Sequence, residues 1–405
     1  MLKTPKVPKG RRYLFVSLSD TPWFGPWYVR QKLMSQFAKG HKVIYASSRK
    51  DVRLIWRHIR QGNLSPGIRF LNWNLVILNG VIMFPKIHRW KRLDAMIELG
   101  YCLFIKILAF ILGYGNTKVL YVWESKFSRL LDHFKKYILV YHAYDAMHKY
   151  VYQSKKSELS EGERFWENEK KLVDRANLFY AVSPALCDHY EQTFQRRPQL
   201  MVNGVSEHYF DLSNPEYAEK AKKILSPFPN TRICFFGSII GALKLDLITE
   251  SSPLLRDHHF LFLGSVQYQN DEKLDQKVDH LLAQPNVHQI GPFEQALLPY
   301  LLNEMDIFLL LYDSSDRIWT YYSSPAKLFE YMAIGKPIIS TPHPFIQKYH
   351  ELVNIVTHCN DLDLSIKKIE CKGSDYTLKK ESQRLAKKHI WSDKINKIID
   401  DLKNI

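Results

Sequence analysis

Short apolar runs recur along the chain between polar stretches marked by glycine and proline. The first covers residues 13–18. A loop at 19–26, a helical pattern at 27–39 closed by Gly40, and a second run at 41–46 follow. Brief apolar runs bounded by turn residues predict buried strands, and a strand–helix–strand succession predicts a parallel sheet. Residues 72–84, 119–123, 138–141, 178–182 and 200–205 read as further strands. Helices are expected over 99–113, over 152–175 and from Ser183-Pro184, a cap followed by a proline. Residues 206–230 are polar and punctuated by proline, and read as a linker. The rhythm then restarts. Strands are expected at 232–237, 259–264, 286–291 and 307–312, with helices at 245–251 and 297–304 and an amphipathic helix at 381–405.

This periodicity predicts an α/β protein of two Rossmann-like domains facing across a cleft. The expected divisions are a first domain at 1–205, the linker at 206–230, a second domain at 231–380 and the terminal helix at 381–405. The length of 405 residues agrees, since one core rarely grows that large. The loop after the first strand lacks a GxGxxG fingerprint, so no dinucleotide site is assigned there. Residues 99–113 are apolar with Lys106 at their centre. A run of about 15 falls short of the roughly 20 residues that span a bilayer. It reads either as a buried core helix or as a helix dipping into one leaflet, with Lys106 snorkelling and Lys86, His88, Arg89, Lys91 and Arg92 nearby.

Composition changes this picture in two respects. Lys+Arg 57 against Asp+Glu 41 gives a formal charge of +16, which favours an anionic partner: nucleic acid, an anionic membrane or a phosphorylated substrate. The five cysteines are scattered without zinc-ligand spacing and read as thiols of a reducing compartment. With no secretory signal evident at the amino terminus, the cytosol is the expected location.

Candidate chemistry concentrates at residues 323–340. Ser324 suits a helix N-cap and Pro325 the first helical position, while Gly335 suits the left-handed residue that ends the helix before Pro337. A helix amino end can hold a phosphate, and Lys327 lies in the first turn with Glu330 one turn on. The pair fits a nucleotide, with the diphosphate at the cap and ribose hydroxyls on the acid. It equally fits an i,i+3 ion pair on an ordinary helix.

The run Pro325-Ala-Lys-Leu-Phe-Glu-Tyr-Met-Ala-Ile-Gly-Lys-Pro-Ile-Ile339 resembles the donor-site helix of nucleotide-sugar glycosyltransferases of the GT-B fold. Glu330 matches the second of two glutamates usual there. The position of the first is Tyr322. The pattern is closer to the subgroup with a Pro/Ser-x-Lys start to the helix, which includes bacterial exopolysaccharide and capsule enzymes such as the xanthan glucuronosyltransferase. The resemblance implies that the last helix crosses back to the first domain and that no metal is needed. It implies donor contacts at Gly237 and Ser238 in the turn after the first strand of the second domain, at Pro292 and Phe293 near the nucleobase, and at Tyr312, stacked on uracil, besides Ser324, Pro325, Ala326, Lys327 and Glu330. Lys244 and the polar loop Asp313, Ser314, Ser315 and Asp316 lie close in sequence.

In the first domain, the Val-Tyr-x-x-x-Asp pattern ending at Asp145 matches the segment that carries a catalytic aspartate in this subgroup. Asp145 also falls at the carboxyl end of a strand, where such sheets place ligands. It reads as the base of an inverting transfer or as a turn residue. His142 is the rival base, and Glu124 would orient Asp145 or bind acceptor. Trp23, Phe24, Trp27 and Arg30 cluster after the first strand, either as a sugar-binding surface or as an aromatic staple.

The reading is therefore a cytoplasmic transferase, peripheral at the inner face of the plasma membrane. It moves a sugar from a UDP-linked donor to a lipid-linked glycan acceptor in bacterial surface polysaccharide synthesis: capsule, exopolysaccharide or lipopolysaccharide. Its partners are the nucleotide-sugar, that acceptor and the anionic inner membrane surface, without nucleic acid and without metal. The alternatives are a GT-B-fold nucleotide-sugar epimerase and a basic nucleic-acid-binding protein. The latter calls for clustered basic residues with interleaved aromatics, and here the charge is spread.

Overall fold

Residues 13–19 form the fully buried strand around which the first sheet assembles. The structure, a computed structural model, describes residues 12–24, 27–51, 67–82, 91–113, 115–145, 159–269, 271–313, 318–373 and 376–405. By internal contacts the chain divides into two units. Unit 1 is Met1–Met201 with Trp391–Ile405, and unit 2 is Val202–Ile390.

Unit 1 contains strands β1 (Tyr13–Ser19), β2 (Lys42–Asp51), β3 (Gly67–Asn72), β4 (Leu75–Ile82), β5 (Thr117–Val122), β6 (Ile138–Ala143), β7 (Leu178–Ala181) and β8 (Gln199–Leu200). Its helices are α1 (Val29–Phe37), α2 (Lys91–Leu112), α3 (Leu159–Arg175) and α4 (Pro184–Phe194), with a 3-10 segment at Ser125–Phe134. The sheet order is β3-β4-β2-β1-β5-β6-β7-β8, parallel except for the antiparallel edge strand β3. On one face Tyr13, Phe15, Leu33, Phe37, Tyr121 and Trp123 form a core that the terminal helix, Trp391–Lys403, completes with Trp391, Ile398 and Leu402. Helix α2 packs on the other face. A Cβ at Gly113 would come within 2.9 Å of Leu14, and the Tyr101 hydroxyl donates to the Ser47 carbonyl at 2.7 Å.

Unit 2 begins with a 3-10 turn (Glu207–Phe210) and α5 (Pro215–Leu225). Six parallel strands follow: β9 (Arg232–Phe236), β10 (His259–Leu263), β11 (Val287–Ile290), β12 (Ile307–Leu310), β13 (Ile338–Ser340) and β14 (Val353–Ile355). Their order is β11-β10-β9-β12-β13-β14. The intervening helices are α6 (Asp246–Ser251), α7 (Glu272–Leu282), α8 (Leu298–Asn303), α9 (Ile318–Tyr322), α10 (Ala326–Ile334), α11 (Cys359–Lys372) and α12 (Tyr376–Lys387). Alternate strand residues feed two cores. Cys234, Phe308 and Leu310 face one, and Ile233, Phe235, Ile307 and Leu309 face the other, as the period of two requires.

Four element expectations change. Of the strand expected over 200–205 only Leu200 lies in one, the two-residue β8 at Gln199–Leu200. The helix expected over 99–113 starts at Lys91 and runs for 22 residues, because its first two turns are masked in the sequence by Arg92, Asp94 and Glu98. Residues 206–230 are an integral part of unit 2. Asn214 caps α5 through its side chain, and Ala221 and Leu225, four apart on the apolar face of a helix otherwise rich in Lys and Glu, are fully buried. The helix expected over 381–405 is two helices that meet at residues 388–390, one in each unit. Part of the helix expected over 152–175, together with Lys86, His88, Arg89, Ser314, Ser315 and Asp316, lies outside the described residues.

Candidate functional site

Open parallel sheets bind ligands at the carboxyl ends of the strands where the order of strands reverses. In unit 2 the chain builds outward from β9 through β10 to β11, then returns to lay β12, β13 and β14 on the other side. The reversal lies between β9 and β12. Gly237 follows β9, and Tyr312 stands two residues beyond β12, where it bridges Leu243 of the loop leaving β9.

Gly237 has φ of +122°, a conformation that side-chain-bearing residues avoid. A Cβ there would lie 2.6 Å from Lys327 Nζ. The missing side chain is therefore the space in which the Lys327 ammonium sits. Lys327 reaches it from the first turn of α10 by crossing the Phe235 ring, with Nζ 4.1 Å from the ring centroid. The same turn is pressed against its neighbour: a Cβ on Gly264, which ends β10, would meet the Gly237 carbonyl oxygen at 2.2 Å. Ser238 is partly exposed beside it.

Around α10 the expected cap is corrected. Ser324 does not cap the helix. Pro325 occupies the N-cap position in extended conformation, and the first turn closes from the Leu328 amide to the Pro325 carbonyl at 3.2 Å. Ser324 is buried instead, its hydroxyl accepting from the Asn203 amide at 3.3 Å, while the Asn203 side chain donates to the Ser324 carbonyl. The helix ends as expected, with Gly335 left-handed at φ 78°. Glu330 is only 2% exposed, and the Tyr209 hydroxyl bonds its carboxylate. Burial raises the Tyr209 pKa well above its ordinary value, and the Glu330 charge adds to the rise. Tyr312 is partly buried, its amide donating to Thr341 Oγ1 at 2.7 Å and its ring edge-on to His343 at 4.9 Å. Burial, then Glu330, pushes its phenol up as well. Pro292 is exposed and Phe293 partly buried, directly after Gly291 at the end of β11.

In unit 1 the reversal lies between β1 and β5. At the carboxyl end of β1 stand Asp20 and Thr21. Glu124 lies two residues past β5, and Tyr144 and Asp145 follow β6. Arg30, from the first turn of α1, joins them. Its Nη2 lies 2.9 Å from Glu124 Oε1, its Nη1 donates to the Thr21 hydroxyl, and its guanidinium covers the Tyr144 ring at 3.9 Å. The Asp20 amide donates to Glu124 Oε2 at 3.3 Å. The Arg30–Glu124 contact is ionic rather than directed: Arg30 Nε and Glu124 Oε1 are buried with no hydrogen-bond partner. Burial pushes the Glu124 carboxyl up to about 7, with Arg30 opposing the shift. Burial works against the Arg30 charge, but Glu124 and the surrounding hydroxyl groups hold its pKa above the ordinary value. Asp145 is partly exposed beside Tyr144, whose phenol is raised by burial and further by the Glu124 and Asp145 charges.

Two expected acceptor residues lie elsewhere. His142 is 1% exposed inside β6, stacked on Trp123 at 4.9 Å and bonded through Nδ1 to the Tyr121 hydroxyl at 2.8 Å. Burial lowers its pKa to about 3, so it is a neutral core residue. Trp23 is 3% exposed and wedged edge-on against Tyr45, which makes it the staple reading; Trp27 beside it is 39% exposed. Sequence reasoning missed Asn203, Tyr209, Thr21 and Tyr144. Each acts through a contact distant in sequence, and only the Asn203-Gly204 turn left a local trace.

Two α/β units, each with polar groups gathered at the reversal of its sheet, have the GT-B fold, and residues 230–363, about a third of the chain, match the family model described as Glycosyl transferases group 1. Among individual proteins, the chain is 24% identical over 235 residues to TuaH of Bacillus subtilis, a protein named for teichuronic acid biosynthesis as a glycosyltransferase. That alignment covers 55% of this chain and 56% of TuaH, little more than half of either. The fold is similar to sucrose-phosphate synthase of Thermosynechococcus elongatus (TM-score 0.69, 12% identity, 97% of this chain and 99% of that one). It is also similar to HepE of Anabaena in complex with UDP-glucose (TM-score 0.64, 14% identity, 97% and 100%). A third is the UDP-forming trehalose-phosphate synthase of Burkholderia vietnamiensis (TM-score 0.67, 10% identity, 98% and 99%).

Proposed function

We propose that this chain transfers a sugar from a UDP-linked donor to a lipid-linked glycan acceptor, in assembly of a bacterial surface polysaccharide, at the inner face of the plasma membrane. The observation that carries the donor half is the Lys327 ammonium seated at the Gly237 turn, at the strand reversal of a group 1 domain. The solved complexes of HepE with UDP and UDP-glucose, and the naming of TuaH for a cell-surface polymer, support the substrate classes.

In this reading the diphosphate lies against the Gly237–Ser238 turn, Lys327 and the first-turn amides of α10. Glu330 has lone pairs beyond the one Tyr209 takes and meets the ribose. Tyr312, Pro292 and Phe293 frame the uracil. Asp145 accepts the proton of the acceptor hydroxyl as its oxygen bonds to the anomeric carbon, and the bond from that carbon to the β-phosphate oxygen breaks on the opposite face. The configuration inverts and UDP leaves with its charge held by Lys327. Arg30 and Glu124 fix the floor beneath Asp145, with Trp27 at its margin.

The test is release of UDP and labelled glycan from a panel of UDP-sugars with a membrane extract as acceptor. Asp145→Asn is expected to lower turnover about 10²–10⁴-fold while leaving the UDP-induced melting shift intact. Unchanged turnover rejects Asp145 as base. Conversion of the free nucleotide-sugar to an epimer would replace transfer by the epimerase reading.

A further inference from the structure

Helix α2 is apolar on both faces, which a helix on a water-exposed surface is not. Cys102, Ile105, Leu108 and Ala109 pack inward on the sheet. Glu98 also turns toward the protein, largely buried and paired with Arg129 at 3.0 Å. The outward face shows Met96, Leu99, Leu103, Ile107, Phe110 and Ile111, spaced three or four apart, with Met96, Phe110 and Ile111 more than 60% exposed. That face bears no acid. An apolar stripe this long on a surface marks an interaction site.

The carboxyl end of the helix supplies the second observation. Lys106 and Phe110 form one wall of a 700 Å³ pocket, completed by Lys118, His133, Lys135 and Lys136. Asp132 also lines it, held by Arg175 at 3.1 Å and within 3.8 Å of Lys135, so one acid stands against the four basic side chains Lys106, Lys118, Lys135 and Lys136. Lysines set around a hollow that opens onto an apolar stripe match an anionic amphiphile, with phosphate in the pocket and hydrocarbon along the helix. A second protein copy would need no such charge, and the chain as a whole is +16.

We infer that the outward face of α2 and the lysine pocket at its end form one surface that lies on an anionic phospholipid bilayer. The helix Arg92–Leu112 is long and apolar enough to cross a membrane by length and composition. Its inner face, however, is committed to the sheet through Tyr101, Cys102 and Gly113, so it rests in the interface rather than spanning. As the crossover from β4 to β5 it runs antiparallel to the strands. Its amino end lies at the edge that carries Asp145. Its carboxyl end lies at the lysine pocket, about 33 Å further along the helix axis for 22 residues. Lying flat, α2 brings the Asp145 edge to the lipid surface. This deepens the proposed function by fixing which side of unit 1 meets the membrane, and it rests on that reading only for the purpose of the contact.

The experiment is flotation of the full chain with phosphatidylcholine vesicles, with and without phosphatidylglycerol, at low and high salt. Binding is expected only with phosphatidylglycerol and is expected to weaken with salt. The triple substitution Lys118→Gln, Lys135→Gln, Lys136→Gln is expected to lower partition about 100-fold, about fivefold for each lysine. The double substitution Ile107→Ser, Phe110→Ser is expected to lower it at least about tenfold. These side chains lie on the surface, and a UDP-induced melting shift read on the same samples confirms that the variants fold. Absence of wild-type binding, equal binding to neutral vesicles, or variants that float like wild type would overturn the inference. So would resistance to alkaline carbonate extraction, which means spanning, or a dimer in solution that Phe110→Ser disperses. Loss of the UDP shift in wild type, with vesicle binding retained, would instead count against the donor reading alone.

Discussion

At the scale of the residue, the two strand reversals owe their character to single side chains, or to the lack of one. Gly237→Ala places a methyl group where Lys327 Nζ now lies and forces a φ of +122° on a residue that resists it. We expect a loss of about 1–3 kcal/mol of stability in unit 2, together with loss of the UDP-induced melting shift. Lys327→Met should abolish the shift with little change in stability. Calorimetry of the two variants with and without UDP separates the ammonium from the backbone. Glu124 provides a pH signature in unit 1. Burial holds its folded pKa near 7, above its ordinary value of 4.5, so the folded state keeps a proton that the unfolded chain releases. Stability from this group is complete below about 4.5 and declines as pH rises through about 7. Glu124→Gln, which cannot ionise, should flatten that decline. Urea midpoints at pH values on either side of the window measure it.

At the scale of the element, the central strands were legible because each is a brief apolar run closed by a turn residue, and β9 and β10 end on the glycines that the sequence itself marks. Helix α10 was legible for the same reason at its far end, where Gly335 stops it. Its start was not, since Ser324 looks like a cap until Asn203, far away in sequence, is found to occupy it. Helix α2 was half hidden because its charged first turns imitate a loop. The 388–390 break before the terminal helix carries no glycine or proline to announce it. That helix holds an anomaly with a measurable consequence. Lys394 is buried at its inner face, and desolvation lowers its pKa from 10.5 to about 8. Below pH 8 the folded state carries a charge it solvates poorly. Stability therefore rises as pH climbs from about 8 to 10.5, where the unfolded chain still holds the proton. Lys394→Met keeps the stem and removes the charge. It should stabilise unit 1 at neutral pH by up to about 3 kcal/mol, and the gain should vanish above pH 10.5. Thermal melts across that range test both parts.

At the scale of the whole molecule, sequence order and cooperative unit do not coincide. Unit 2 is one continuous segment with a core on each face of its sheet, whereas unit 1 is closed by a helix that follows all of unit 2 along the chain. Trp391, Ile398 and Leu402 supply part of the unit 1 core, and the Tyr180 hydroxyl donates to Asp401 at 2.6 Å. Removing an aromatic of this kind from a core costs about 3–5 kcal/mol, and removing the helix costs several such contacts at once. Truncation after Ile390 should therefore leave unit 1 unable to fold cooperatively. The same truncation leaves the Gly237 turn, Lys327, Glu330 and Tyr312 intact, because all of them belong to the continuous segment. If UDP binds that segment as proposed, it stabilises it by about 2.7 kcal/mol at a concentration 100 times its dissociation constant. The expected result is a truncated chain that keeps one melting transition, still raised by UDP, and loses the transition of unit 1. In the full chain Trp391→Ala should weaken unit 1 by about 3 kcal/mol and leave the UDP-dependent transition in place. If the truncated chain lost its UDP response while unit 1 stayed folded, the partition of core and donor site between the two units would be wrong.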